Sequence, residues 1–315
     1  MTTVLFSGKG NQAEAWGEAL TRWSRDLGVP IKLYTDPATV SPTDVDVVVV
    51  NPNGVVSDFA PYSNAKMLQS IWAGVEVFLA NKTIPDGPIL TRMVEDGMTE
   101  AMSEYICGHV MRHHLGLDQH IHDSARAVWN PVPPPIARER RVGVMGLGAL
   151  GSDAAKMLVK LNFDVAGWSQ SQKDIEGVKC LCGAGGLRQL IERSEILITI
   201  LPLTDATRHV LNAESLFWAP KGAVIINPGR GPLINDDALL AALAVGHIGH
   251  ATLDVFDIEP LPTDHPYWRN PNVTVTPHLA AETRTNGAAR FAVEQIGRLQ
   301  RGEPLLHVVD RGAGY

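Results

Sequence analysis

The stretch Arg141-Val142-Gly143-Val144-Met145-Gly146-Leu147-Gly148-Ala149-Leu150-Gly151 constrains the fold more than any other part of the chain. An apolar run leads into it, and a helical pattern with Ala154, Leu158 and Leu161 on one face leads out. A G-x-G-x-x-G spacing alone is weak, because glycine is common. Between a strand and a helix it predicts a dinucleotide cradle. Gly146 allows the tight turn, Gly148 lets the backbone approach a pyrophosphate, and Gly151 lets helix and strand pack closely. The amides of this loop, Ala149 and Leu150 included, point a helix N-terminus at the diphosphate.

Around this unit the sequence alternates short β-rich runs with helical patterns, which predicts an α/β fold. Early strands are expected at Val4-Phe6, Ile31-Tyr34, Val47-Val50 and Leu68-Trp72. A long helix is expected over Thr99–Leu117. Asn130-Pro131-Val132-Pro133-Pro134-Pro135 cannot be helical and reads as an extended arm. Five further strands, at 165–168, 196–200, 223–227, 250–254 and 273–276, follow the one at Arg141-Met145, and a last helix runs from about Arg284 to Gln300. Gly8-Lys9-Gly10 lacks the spacing and the Ser/Thr of a phosphate loop and reads as a turn.

Composition narrows the class. Hydrophobic residues make up 45% of 315, enough for two cores and too many for a disordered chain. A net charge of -7 argues against nucleic acid as a partner. Cys107, Cys180 and Cys182 make no disulfide framework, which points to a reducing compartment. The start carries no secretory signal pattern, and no apolar run nears the roughly 18 residues of a membrane span. The expectation is a cytoplasmic protein with neither nucleic-acid nor membrane partner.

An NAD site carries an acid about 20 residues past the glycine loop, on the ribose 2′-OH. Here that place falls at Trp168-Ser169, and the first carboxylate is Asp174. Ser169 and Ser171 can bond a 2′-phosphate and Lys173 can neutralise it, so NADP(H) is preferred, with NAD(H) as the alternative. Downstream, Arg230, Glu259 and His278 each follow an expected strand, where open parallel sheets form their ligand crevice. Together they suit reduction of a 2-oxo acid. The histidine gives the carbonyl oxygen its proton, the carboxylate keeps it charged and oriented, and the arginine grips the substrate in a planar fork. Taken singly, each is more often an exposed ion pair or a loop histidine.

Gly146-Leu-Gly-Ala-Leu-Gly151, Asn227-Pro-Gly-Arg-Gly231, Asp254-Val-Phe-Asp-Ile-Glu-Pro-Leu-Pro262 and Thr276-Pro-His-Leu-Ala280 resemble the D-2-hydroxyacid dehydrogenases, in particular their glyoxylate/hydroxypyruvate reductase A branch. Ser70-Ile-Trp-Ala-Gly-Val-Glu76 and the tail Val309–Tyr315 also look alike. The resemblance implies two Rossmann-like, doubly wound domains with parallel sheets and a cleft between them. Residues 1–98 plus 285–315 are the substrate domain; 99–284 are the dinucleotide domain with a dimerisation helix and arm. It implies glyoxylate and hydroxypyruvate as substrates, reduced by NADPH to glycolate and D-glycerate. Arg230 binds the 2-oxo acid, and His278 is the acid/base paired with Glu259. Asp254 contacts the nicotinamide carboxamide. The amides of Ala73 and Gly74 hold the substrate carboxylate, with Trp72 and Arg92 beside it. Trp129 reaches the partner subunit's site in a homodimer. NADP(H)-preferring members carry an arginine after the serine at the second strand's end. Gln170 stands there instead, leaving Lys173 as the nearby cation. Formate-oxidising members have Gln at the position of Glu259, which argues against formate.

Two readings compete: an NADH-linked dehydrogenase of another D-2-hydroxy acid, and a non-catalytic dinucleotide sensor. The proton-donor set argues against the sensor. His109 and His113, one helical turn apart, have no evident third ligand, so no metal is expected. Cys180-Leu-Cys182 reads as a loop or strand edge, and the tryptophans at 16, 23, 168, 218 and 268 as packing residues.

Overall fold

Val47, Val48, Val49 and Val50 all have no exposed surface. A strand apolar at every position is buried on both faces, which requires helices above and below a parallel sheet. The computed structural model, which describes residues 1–312 and Gly314, has this architecture twice. One unit comprises Met1–Met98 and Thr283–Tyr315, the other Thr99–Glu282. Within the tail motif, Ala313 and Tyr315 lie outside the described residues.

The first unit has strands β1 (Thr2–Ser7), β2 (Ile31–Tyr34), β3 (Val47–Val50), β4 (Met67–Ser70) and β5 (Ile89–Thr91), with helices α1 (Gln12–Asp26) and α2 (Glu76–Ala80). The sheet order is β2-β1-β3-β4-β5, every pair parallel. Gly8-Lys9-Gly10 is the turn between β1 and α1. Leu5, Val48, Val50, Leu68, Phe59, Phe78 and Leu90 form one core, and Phe6 stacks on Trp16 with ring centres 4.9 Å apart.

In the second unit α3 (Asp96–His114) and α4 (Leu117–Ala125) precede β6 (Arg141–Met145), α5 (Ala149–Lys160), β7 (Asp164–Ser169), β8 (Lys179–Cys182), α6 (Gly183–Arg193), β9 (Ile196–Thr199), β10 (Ala223–Asn227), α7 (Asp236–Ala244), β11 (Ile248–Leu253) and β12 (Val273–Val275). The order β12-β11-β10-β9-β6-β7-β8 reverses direction between β9 and β6, the doubly wound pattern. Met102, Ile106 and Val110 of α3 join Ala154 and Leu158 of α5 in one core. Leu190 and Ile191 of α6 join Leu239 and Leu243 of α7 in the other. The expected long helix breaks where Gly116 takes the left-handed conformation (φ +64), so α4 is a separate element. Cys180-Leu-Cys182 is the edge strand β8, and the three cysteines are unpaired. Trp16 and Trp168 are buried as packing residues. Trp268 is half exposed, its indole N–H donating to the Pro262 carbonyl.

The last helix, α8 (Thr285–Arg301), returns to the first unit and buries Ala288, Ala292 and Ile296 on one face. It ends at Gly302, whose φ of +67 makes a left-handed cap. The buried Gln295 side chain then bonds both the N–H and the carbonyl of Leu306, fixing the tail. Among the described residues no helix is long and apolar enough to cross a membrane.

The histidines of α3 serve packing in the second unit. His113 Nε2 lies 2.9 Å from the Thr252 hydroxyl, and its ring sits 4.9 Å from His250, itself 2.9 Å from the Thr274 hydroxyl. Among the described residues no group of three or more His, Cys, Asp or Glu can hold a metal ion. Burial, then the neighbouring His250, pushes His113 down to about 3. Burial also lowers His250 and His109. Folding holds these rings toward the neutral form, whereas unfolded they take up protons near pH 6.5, so their contribution to stability is full above that pH and is lost as pH falls. His113 alone contributes a slope of up to about 1.4 kcal/mol per pH unit, and the other two add in the same direction. The melting temperature should therefore fall steadily from pH 6.5 to 5, above the carboxylate range. His113→Asn should flatten that slope; a level profile in the unsubstituted protein would contradict the assignment.

Candidate active site

The glycine loop closes β6 onto α5. Gly146 turns at φ +111. A Cβ on Gly151 would lie 1.9 Å from the Gly146 carbonyl oxygen, a backbone atom that cannot step aside. Gly148 caps α5 through its backbone, and nothing stands within 4 Å of where its Cβ would be. Gly148 and Ala149 are exposed, and Leu150 is partly so. The loop thus presents first-turn amides beside open space, and these residues fit a dinucleotide diphosphate. Gly151→Ala should push the loop apart and weaken coenzyme binding at least tenfold, read by fluorescence titration; unchanged affinity would mean the diphosphate binds elsewhere.

At the end of β7 the Ser169 hydroxyl donates to the Ser171 carbonyl at 2.6 Å, which shapes the turn. Gln170, Ser171 and Lys173 are exposed there.

The ionisable groups come from three neighbouring strands. Arg230 follows β10, Asp254 and Glu259 follow β11, and His278 follows β12, all at the carboxyl ends. The Asn227 side chain braces the first loop: its Oδ1 accepts from Thr199 and from the Gly229 N–H, and its Nδ2 donates to the Arg230 carbonyl. Gly231 lets that loop touch the next, since a Cβ there would lie 2.1 Å from the Phe256 backbone. The Phe256 N–H donates to Glu259 Oε1 at 2.9 Å, leaving Oε2 for His278 Nδ1 at 2.7 Å.

This pair is electrostatically tuned. The hydrogen bond to Glu259 raises His278 above the ordinary imidazole value; burial opposes it, the Glu259 charge adds to it, and Arg230 subtracts. Burial pushes the Glu259 carboxyl up. The bonds from His278 and Phe256, with the charges of His278 and Arg230, outweigh it and hold Glu259 below the usual range. The guanidinium is thus close enough to act on both partners. With Nδ1 held, Nε2 of a ring 54% exposed is the edge that can exchange a proton.

Asp254 is fully buried, and three donors already reach its carboxylate: the Thr276 hydroxyl at 2.6 Å and the amides of Leu279 and Ala280 at 3.0 and 2.9 Å. One acceptor position in about four remains for a nicotinamide carboxamide. Thr276 lies in a motif that the sequence shows, whereas its partner Tyr105, 2.8 Å away, carries no signal there.

Trp72, Ala73, Gly74 and Arg92 belong to the first unit. The Arg92 N–H donates to the His307 carbonyl at 3.1 Å, and the Met93 N–H to the Trp72 carbonyl at 3.0 Å. Trp129, in the second unit, is 93% exposed.

The description "D-isomer specific 2-hydroxyacid dehydrogenase, NAD binding domain" belongs to the family whose profile matches residues 107–280. A glyoxylate/hydroxypyruvate reductase A from Serratia proteamaculans (strain 568) is 34% identical over 284 residues, covering 89% of this chain and 90% of the relative. The structure of a D-isomer specific 2-hydroxyacid dehydrogenase from Xanthobacter autotrophicus Py2, bound to NADPH and MES, superposes with a TM-score of 0.92 at 37% identity, over 100% and 99% of the two chains. An NADPH-dependent glyoxylate/hydroxypyruvate reductase from Sinorhizobium meliloti, bound to NADP and sulfate, gives 0.90 at 33% identity over the full length of both. The chain belongs to the D-isomer specific 2-hydroxyacid dehydrogenase family and is an NAD(P)-dependent oxidoreductase.

Proposed function

We propose that the chain reduces glyoxylate and hydroxypyruvate to glycolate and D-glycerate, with NADPH preferred over NADH. The observation that carries the reading is the 2.7 Å bond between His278 and Glu259 at the carboxyl edge of the sheet, with the Arg230 charge acting on both. A bound reduced nicotinamide supplies the hydride for the carbonyl carbon. Arg230 holds the substrate carboxylate and carbonyl in its planar fork and withdraws charge from the carbonyl. His278 Nε2 delivers a proton to the oxygen, while Glu259 stabilises the charged imidazole and fixes its orientation. Gly146, Gly148, Ala149, Leu150 and Gly151 hold the diphosphate; Ser169, Ser171 and Lys173 hold the 2′-phosphate. Asp254 orients the carboxamide, and Trp72, Ala73, Gly74, Arg92 and Trp129 serve the substrate.

Coenzyme preference is supported by the turn after β7, which has no carboxylate before Asp174. It is supported too by the relatives bound to NADPH and NADP. The reading extends to a cytoplasmic homodimer, for which the unpaired cysteines and the exposed Val128, Trp129, Val132 and Ile136 speak.

Steady-state rates with glyoxylate, hydroxypyruvate, pyruvate and larger 2-oxo acids, each with NADPH and NADH at equal concentration, test it. The expected result is turnover fastest with the two small substrates and NADPH. A large NADH advantage would overturn the coenzyme assignment. Tight coenzyme binding without turnover of any 2-oxo acid would favour the sensor.

A further inference from the structure

The turn that carries His278 is held against strain. His278 has φ +53, a left-handed conformation that residues with a Cβ keep only where their surroundings over-determine it. Its own N–H is shared between the Asp254 carbonyl at 2.8 Å and the Thr276 carbonyl at 3.1 Å. The next two amides, of Leu279 and Ala280, end on the Asp254 carboxylate. Asp254 therefore grips the turn on both sides of the imidazole.

Asp254 is gripped in turn. The Thr276 hydroxyl gives its single proton to Asp254 Oδ1. It has only lone pairs left to offer, so the Tyr105 hydroxyl, 2.8 Å away, donates to it. The direction of the chain is fixed: Tyr105 to Thr276 to Asp254, and from Asp254 to the backbone around His278. Tyr105 lies on α3, where its ring packs at 4.5 Å against His109. Burial raises the phenol well above its ordinary value, with Asp254 adding to the rise and Thr276 and Arg112 opposing it, so it stays a neutral donor.

We propose that Tyr105 is a positioning residue for the His278 imidazole, acting through Thr276 and Asp254 to set the angle at which the ring meets Glu259 and presents Nε2. The inference rests on the reading of His278 as proton donor. The charged groups acting on that ring are Glu259, Arg230 and Asp254; near the phenol are the charged Arg112 and Asp254 and the titratable ring of His109. Tyr105 touches neither the imidazole nor a reacting atom. Its effect is therefore on the quality of the His278–Glu259 bond, which is what raises the imidazole above its ordinary value.

Tyr105→Phe keeps the ring and removes the donor. It should lower kcat for 2-oxo acid reduction about tenfold, with both KM values within about twofold, the scale seen for an outer hydrogen bond that orients a functional imidazole. The basic limb of the pH profile should move to lower pH, because a misaligned His278 gains less from Glu259. The same shift should appear in the His278 imidazole pKa read by NMR, with the signal assigned from His278→Gln. Thr276→Val removes the middle of the chain and should give the same shift. The double variant should lose little more than either single one, and Thr276→Ser should stay closer to the unsubstituted protein than Thr276→Val. An unmoved pH limb and imidazole pKa in a folded Tyr105→Phe or Thr276→Val protein would overturn the proposal, even if kcat fell. Should the unsubstituted protein reduce no 2-oxo acid, the proposed function fails, while the NMR titration still decides whether Tyr105 orients His278.

Discussion

His278→Gln should lower kcat for 2-oxo acid reduction by about 10²–10⁴, the range for losing a positioned general acid. Glutamine has about the reach of the imidazole and can still meet Glu259, but it has no proton to give at neutral pH. Coenzyme affinity should change little, since the diphosphate loop lies on β6 and α5 and His278 lies after β12. The loss should therefore fall on kcat, with KM for the 2-oxo acid far less affected. Single-turnover reduction by bound NADPH separates the chemical step from product release. A rate within twofold of the unsubstituted protein would remove His278 from the mechanism.

Arg230→Ala should cost about 10²–10³ in kcat/KM, the scale of leaving one member of a desolvated, hydrogen-bonded charge pair without its partner. Unlike His278→Gln, it should raise KM for the 2-oxo acid as well as lower kcat, because the guanidinium holds the ground state too. Arg230→Lys should recover only part of the loss, since an ammonium keeps the charge and lacks the fork. The substitution also takes away the cation that lowers both His278 and Glu259, so the basic limb should move slightly to higher pH. The substitution removes the bond from the Arg230 guanidinium to the Gly229 carbonyl at 2.7 Å, but the Asn227 bonds to the Arg230 carbonyl and the Gly229 amide involve no side-chain atom of Arg230, so the loop should keep its place. Isothermal titration of NADPH and stopped-flow reduction check this together. Lost coenzyme binding would mean that Arg230 serves the coenzyme.

Much of the scaffold is legible in the sequence because its strands are short runs bounded by turn residues. Val47–Val50, Arg141–Met145 and Ala223–Asn227 carry that signal within a few residues. β5 does not, being three residues of which Ile89 is exposed. Nor does β8, where Lys179-Cys-Leu-Cys182 lies at the sheet edge without a continuous apolar run. The glycine loop is legible because backbone approach admits few residue types. Arg230, Glu259 and His278 are legible as residue types placed after strands, and only the folded chain puts Nδ1 of His278 2.7 Å from Glu259. The Tyr105–Thr276 bond joins residues 171 positions apart through two hydroxyls, groups too common for a sequence to single out. The family resemblance implies that Asp254 is a coenzyme contact, and the fold adds a structural duty, since its carboxylate caps the turn that holds His278.

The central claim is that a charged His278, sustained by Glu259, protonates the carbonyl. Its most direct measurement is the pH dependence of kcat/KM for glyoxylate reduction, in the unsubstituted protein and in His278→Gln. The acid form is the one that donates, so the rate should hold at low pH and fall as pH rises through an imidazole value lifted above the ordinary 6.5. In His278→Gln the residual rate should show no such limb. The same limb surviving in His278→Gln would assign the proton to another group and contradict the account.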